Sequence, residues 1–378
     1  MKEFEGIYLK ESSIILSDKN FNLISYDWEG RWYYSYIDGF GYRKGLNGEI
    51  LKKRRPFLKK LNKDEKKEID KKIYEISLKI LENKKIKKEK EEIDEKEAEI
   101  VIKKGEEFWK ENEKKFYEIY SDITILPPDQ YLSIYLQVVE GCNYGKCIFC
   151  NFYKKKIFKI KKEKEFEEHL KKVYDFLGRG ISLRKSIFLG DANAILLPEK
   201  EFLKILEIIR KYDEKRKIYS FMDIFTGIKR SREFFKEIKK YGFERIYIGL
   251  ESGSKKLLEF LEKYQDPENL KEIVHKLKNS GISVGIIIMI GIGGNKFYEE
   301  HIKETVKILK DLSLDKNDII YFSDFVIFED LPYLEKAKKE NIKNLNFEEI
   351  EKQKNSILKN ITPSPSLISF YNVLEFIY

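Results

Sequence analysis

The sequence predicts an α/β protein whose central half is built of βαβ units, and therefore of a parallel sheet. Three observations lead there. Between Tyr131 and Ile327, short apolar runs of strand character alternate with segments whose apolar residues recur at helical spacing. Hydrophobic residues make up 42% of the 378, enough to bury a core and to exclude wholesale disorder. The 21 glycines and 8 prolines are too few for a collagen-like or linker-dominated chain.

The first stretch, to about Gly48, reads as a small antiparallel sheet. Its strands are Leu9–Leu16, Asn20–Trp28 and Arg31–Ile37, broken at Asp18-Lys19-Asn20, Glu29-Gly30 and Asp38-Gly39. The aromatics Trp28, Trp32, Tyr33, Tyr34 and Tyr36 read as the core of this sheet in preference to a base-stacking platform. From Lys59 to about Tyr120 the chain is rich in Lys and Glu, yet Ile69, Ile73, Ile76 and Ile80 form one stripe. That pattern predicts amphipathic helix with a solvated charged face. Residues 1–125 thus form an N-terminal accessory region, a small sheet followed by helices. It meets the next region at Pro127-Pro128 without a Gly/Ser linker, which predicts rigid docking.

Residues 126–330 carry the alternation. The expected strands are Tyr131–Val139, Ser186–Leu189, Ile218–Phe225, Arg245–Leu250, Ser283–Ile290 and Ile319–Ile327. Helical patterns lie between them at Lys164–Leu177, Glu199–Tyr212, Ser231–Tyr241, Lys255–Leu261, Pro267–Ser280 and Glu299–Leu312. In such a sheet, ligand chemistry belongs at the carboxyl ends of the strands. Residues 331–378 read as a short helical extension ending in a Pro-interrupted apolar tail, Thr362–Tyr378, packed on the core.

Charge and hydropathy narrow the class. The 74 basic and 65 acidic side chains give a formal charge of +9, and the bias of 63 lysines to 11 arginines points to no function. No window approaches 18 consecutive apolar residues, and Met1-Lys2-Glu3 opens without an apolar segment. These features predict a soluble, cytoplasmic protein with no membrane partner.

All three cysteines fall in Gly141-Cys142-Asn143-Tyr144-Gly145-Lys146-Cys147-Ile148-Phe149-Cys150, immediately after the first central strand. A disulfide framework would spread them in pairs, so metal or chemistry is expected instead. Three thiolates on one short loop can reach three corners of a cubic iron–sulfur cluster, leaving the fourth iron open to a small molecule. A zinc site would need a fourth ligand, and the three histidines, His169, His275 and His301, all lie far along the chain from the loop. Buried structural cysteines would not be this dense.

The loop resembles the cluster-binding motif of the radical S-adenosylmethionine (radical SAM) superfamily. The spacing here is C-x4-C-x2-C where C-x3-C-x2-C is usual. Three further segments agree. Phe188-Leu189-Gly190-Asp191-Ala192-Asn193 is similar to the segment that takes the SAM ammonium group. Ile248-Gly249-Leu250-Glu251-Ser252-Gly253-Ser254 resembles the one that meets the ribose or methionine end, although Ser252 or Ser254 also suits a helix N-cap. Met289-Ile290-Gly291-Ile292-Gly293-Gly294 resembles the Gly motif that supports the adenine, and Phe149 matches an aromatic near it. The likeness is nearest to the branch of coproporphyrinogen oxidase and the Elongator catalytic subunit, and to radical SAM proteins of unassigned function.

This resemblance implies a partial (β/α)6 barrel of TIM type, with a 4Fe–4S cluster held by Cys142, Cys147 and Cys150 and with S-adenosylmethionine as second cofactor. The cofactor-binding residues it implies are Phe149, Gly190, Asp191, Glu251, Ser252 and Gly291. The implied reaction is reductive cleavage of SAM to a 5′-deoxyadenosyl radical, which abstracts hydrogen from a substrate. With every cysteine on one cluster, an auxiliary Cys-ligated cluster is excluded, and no Asp-x-His-x-x-Gly cobalamin segment occurs. The expected partners are a small organic substrate and an electron donor such as flavodoxin or ferredoxin. Lys154, Lys155, Lys156, Lys159, Lys161 and Lys162 read first as a solvated loop, second as a collar for an anionic substrate. Tyr153 is the candidate proton or hydrogen donor, and His301 fits a structural role as well as a catalytic one. The alternatives are a radical SAM protein that modifies tRNA or another nucleic acid, the less favoured partner, and a non-catalytic iron–sulfur sensor.

Overall fold

The computed structural model describes residues 5–82 and 85–378, so the opening Met1-Lys2-Glu3 lies outside the described residues. The chain divides into two units. One comprises residues up to Ile134 together with Glu168–Lys185 and Glu375–Tyr378; the other comprises Tyr135–Glu167 and Ser186–Leu374.

In the first unit, β1 (Gly6–Leu9), β2 (Ile14–Ser17), β3 (Leu23–Tyr26), β4 (Trp32–Ile37), β5 (Phe40–Lys44), β6 (Ile50–Arg54) and β7 (Phe57–Lys60) form an antiparallel meander. Helix α1 (Lys63–Glu82) leads to β8 (Ile86–Lys88), which pairs parallel with β1, and α2 (Glu95–Lys103) and α3 (Gly105–Ile119) follow. The run Leu9–Leu16, expected as one strand, is two. The polar Lys10–Ser13 segment turns the chain so that Leu9 pairs with Ile14. The isoleucine stripe packs as its spacing predicts: Ile69, Ile73 and Ile80 are buried, with Ile76 half-buried, against Leu9, Ile14, Leu16, Ile24 and Trp32. Each such side chain contributes roughly 1.5–3 kcal/mol relative to exposure.

The aromatics of β4 divide between the two faces. Tyr26 pairs with Trp32 and Ser25 with Tyr34, so Tyr33 is an extra residue on β4. The alternation of faces therefore resumes one residue late. Trp28 and Trp32 are buried as expected, whereas Tyr34 and Tyr36 point outward, against the expectation that they form the core. Beneath the sheet, Asp70 accepts from Lys44 Nζ at 2.7 Å and from Trp32 Nε1 at 2.7 Å.

Entering the second unit, β9 (Ser133–Gln137), whose first two residues belong to the first unit, leads to a small antiparallel pair, β10 (Val139–Glu140) and β11 (Lys159–Ile160), and then to α4 (Glu163–Leu177), which from Glu168 onward belongs to the first unit. After these come β12 (Ser186–Gly190), α5 (Glu199–Tyr212), β13 (Lys217–Phe221), α6 (Ile224–Lys229), α7 (Arg232–Lys240), β14 (Phe243–Glu251), α8 (Lys255–Phe260) and α9 (Asn269–Lys278). The chain continues through β15 (Ser283–Ile290), α10 (Tyr298–Asp311), β16 (Ile319–Asp324), α11 (Pro332–Lys339), α12 (Phe347–Ile361) and β17 (Leu367–Tyr371). The sheet order is β9-β12-β13-β14-β15-β16-β17, parallel from β12 to β17 and open rather than closed, as a partial barrel requires. Every residue of β12 is buried, which is why the strands read as continuous apolar runs.

Two expectations change. The strand expected to reach Phe225 ends at Phe221, because Asp223 Oδ1 accepts the Thr226 N–H at 2.7 Å and caps α6. The apolar tail, read as packing on the core, does bury Tyr371, Ile377 and Tyr378, and it also supplies a seventh strand, β17, with Leu367 and Phe370 exposed. Among the described residues no helix is long and apolar enough to cross a membrane.

Candidate active site

Beyond Glu140 at the end of β10, Gly141 turns the chain with φ +74°, and the three cysteines follow. All three thiols are free and partly exposed. The loop is fixed by distant backbone. The Ile148 N–H donates to Leu261 O at 3.1 Å, the Tyr333 N–H donates to Ile148 O at 3.2 Å, and the Tyr144 hydroxyl donates to Glu262 O at 2.7 Å. Phe149 packs beside Leu257, Phe260 and Tyr333. Burial pushes the Cys147 thiol up to about 12 and Cys150 to about 11, so a metal that binds there must displace their protons.

Asp191, just past β12, is buried, and both its carboxylate oxygens are engaged. Oδ1 accepts from the Tyr135 hydroxyl and from Gln137 Nε2 at 3.2 Å; Oδ2 accepts from the Gly141 N–H at 2.9 Å and from Lys156 Nζ at 2.7 Å. The cation it meets is therefore Lys156, and its contacts reach both flanks of the cysteine loop. Gly190 has no room for a side chain: a Cβ there would lie 2.0 Å from Tyr135 Oη.

Glu251 ends β14 at φ +60°, where a bulge breaks the ladder with β15. Its Oε1 accepts from Lys263 Nζ at 2.7 Å, and the same ammonium donates to Gly249 O at 2.7 Å. Burial alone would lower the Lys263 pKa, but Glu251 and Cys147 more than offset it and the net direction is upward. Lys263 thus remains a cation among Glu251, Asp223 and Cys147. Spacing gave no hint of it in a chain with 63 lysines.

Ser252 is buried away from solvent and bonds to His301 Nδ1 at 2.8 Å, while the Ser254 N–H donates to Ser252 Oγ at 3.0 Å. Ser254 is the N-cap of α8, its Oγ accepting the Leu257 N–H at 3.0 Å. At Gly291, φ +84°, the N–H donates to Gln353 Oε1 at 2.7 Å, a support that sequence reasoning missed because it comes from α12. Asn193 Nδ2 donates to Asp223 Oδ2 at 2.7 Å and to Thr226 Oγ1 at 2.8 Å, joining the ends of β12 and β13. Tyr153 is half-buried with its ring against Phe152 and the Lys156 ammonium 5.9 Å from its centre.

The lysine run is not one solvated patch. Lys156 pairs with Asp191, Lys159 with Glu165 and Lys161 with Glu140, while Lys154, Lys155 and Lys162 are exposed. The chain's three thiols share one loop, and thiolates are the donors that an iron–sulfur cluster takes.

The family model described as the radical SAM superfamily matches residues 136–320. Among solved structures the chain is similar to coproporphyrinogen III oxidase from Escherichia coli, described as a radical SAM enzyme, at 16% identity and TM-score 0.43, over 60% of this chain and 50% of that one. It is similar to methylornithine synthase at 16% identity and TM-score 0.44, over 62% of this chain and 63% of that one. A third is a radical S-adenosylmethionine methyltransferase from Kitasatospora setae, at 16% identity and TM-score 0.44, over 58% of this chain and 41% of that one. The chain thus spans less than two thirds of the length of each. No curated protein matches it.

Proposed function

With residues 136–320 a domain of the radical SAM superfamily, we propose that the protein is an enzyme that cleaves S-adenosylmethionine reductively at a single 4Fe–4S cluster and abstracts hydrogen from an organic substrate. The observation that carries this reading is the placement of three free thiols on one loop beside the carboxyl end of β12, held there by Asp191. Cys142, Cys147 and Cys150 would hold three irons and leave the fourth for the amino and carboxylate groups of SAM. A cluster held there would supply the single electron that reductive cleavage of the SAM sulfonium requires.

The chain's own residues position and enclose. Asp191 fixes the loop through the Gly141 N–H and Lys156. Lys263 and Glu251 keep a fixed ion pair beside Cys147, a preorganised field that needs no rearrangement when charge moves nearby. Phe149 and Gly291 are assigned to the adenine side, Gly190 to the SAM ammonium group, and Ser252 to the ribose or methionine end. The exposed Lys154, Lys155 and Lys162 favour an anionic substrate. A flavodoxin or ferredoxin would supply the electron.

The test is anaerobic reconstitution. About four irons and four sulfides per chain are expected, with SAM perturbing the electron paramagnetic resonance of the reduced cluster and dithionite yielding 5′-deoxyadenosine and methionine. Stoichiometric zinc in colourless, anaerobically prepared protein overturns the reading.

A further inference from the structure

The outer face of the N-terminal sheet carries residues that the cluster chemistry does not use. The extra residue at Tyr33 turns Tyr34 and Tyr36 outward, 37% and 41% exposed. Two positions apart on one strand, they stand about 6.7 Å from each other, close to twice the ~3.4 Å rise between stacked bases. Across the ladder Tyr34 pairs with Arg43 and Tyr36 with Gly41, and Gly41 pairs in turn with Lys53 on β6. The Tyr34 side chain reaches over Gly41, where a Cβ would lie 3.6 Å from Tyr34 Oη. The result is an open cavity of about 260 Å³ lined by both tyrosines, Arg43, Lys53, Arg54 at the end of β6 and the turn residue Arg55.

We infer that this face binds single-stranded RNA. Two exposed aromatic rings offer a stacking platform for any base, and Arg54 and Arg55 beside them can meet a phosphate backbone, while Arg43 is held by Glu375 O at 3.1 Å and by the Tyr131 ring, and Lys53 by the Glu375 carboxylate. The volume lies just under the range of drug-sized pockets, about 300–1,000 Å³, so it takes one nucleotide of the strand. One carboxylate, Glu375, lines the same cavity, its Oε1 2.6 Å from Lys53 Nζ. A carboxylate repels phosphate but accepts a hydrogen bond from a ribose 2′-hydroxyl, which favours RNA over DNA. None of the lining residues falls within 136–320, so its test and the cluster's test fail independently.

The experiment is fluorescence anisotropy with a labelled 12-nucleotide oligouridine and the full chain, at about 50 and 200 mM KCl. Binding is expected, weaker at the higher salt and tighter than for oligodeoxythymidine of the same length. Tyr34→Ala with Tyr36→Ala should weaken it roughly tenfold or more. The Phe pair, which keeps both rings, should stay within about threefold, and Arg54→Ala with Arg55→Ala should flatten the salt dependence. Both tyrosines are exposed, so the variants should keep the wild-type melting curve. Three results overturn the inference: no binding at the lower salt, binding unchanged by the Ala pair, or equal affinity for the deoxy strand.

Discussion

Lys156 Nζ lies 2.7 Å from Asp191 Oδ2, the same oxygen that accepts the Gly141 N–H at 2.9 Å. One buried carboxylate thereby ties the residue before Cys142 to the basic stretch after Cys150. Removing it takes the carboxylate from a nearly buried ammonium and the acceptor from a backbone donor together. Asp191→Ala should lower stability by about 3–5 kcal/mol and reduce iron loading after reconstitution, with Asp191→Asn milder because an acceptor remains. Urea midpoints and iron assays check this; full iron at the wild-type midpoint would assign Asp191 no part in holding the loop.

Gly190 makes the same clasp sensitive to one methyl group. An added Cβ would meet Tyr135 at 2.0 Å from its oxygen and 2.2 Å from the adjoining ring carbon. Gly190→Ala should therefore displace Tyr135 from Asp191 at a cost of about 1–3 kcal/mol. The readout is thermal unfolding beside SAM-dependent 5′-deoxyadenosine formation, and both should fall. A variant equal to wild type in both would mean that the strand end yields freely.

His301 gives a pH signature. Burial lowers its pKa to about 4 from the ordinary 6.5. In the unfolded chain it takes a proton near pH 6.5, in the folded chain only near 4. Its contribution to stability is thus fully present above pH 6.5 and is lost as pH falls from there toward 4. At pH 5 the loss is about 2 kcal/mol. His301→Gln does not titrate, so its urea midpoint should fall less than wild type between pH 7 and 5. Parallel curves would contradict the assignment.

In the first unit, Lys44 depends on Asp70. Its ammonium lies over Trp32 and Trp109, 5.3 and 5.1 Å from the ring centres, and burial lowers its pKa although Asp70 opposes the shift. Asp70→Asn should cost about 3 kcal/mol and shift tryptophan emission, because Trp32 Nε1 donates to the same carboxylate. Unchanged emission with an unchanged midpoint would show the pair to be dispensable.

What could be read from the sequence follows from how local each signal is. Ser283–Ile290 was recovered to the residue, because it is apolar or small throughout and bounded by Gly281 and Gly291. That the three thiols share one short loop is visible in the sequence itself. The Lys10–Ser13 turn carries no Gly or Pro to announce it, and Pro363 and Pro365 disguised β17 as an irregular tail. Long-range partners left no trace: nothing local marks Lys263 as the cation for Glu251, or Gln353 on α12 as the acceptor for Gly291. The outward turn of Tyr34 and Tyr36 depends on one extra residue, which a period of two cannot foresee.

The cysteine loop takes its shape from Leu261, Glu262 and Tyr333, all made long after it. At about 5–20 residues per second, a ribosome reaches Tyr333 on the order of 10–40 s after Cys142. Throughout that interval the three sulfur atoms belong to a nascent chain with no frame to space them. The frame that spaces these thiols is therefore completed only when most of the chain has been made, and until then they stand open to oxidation.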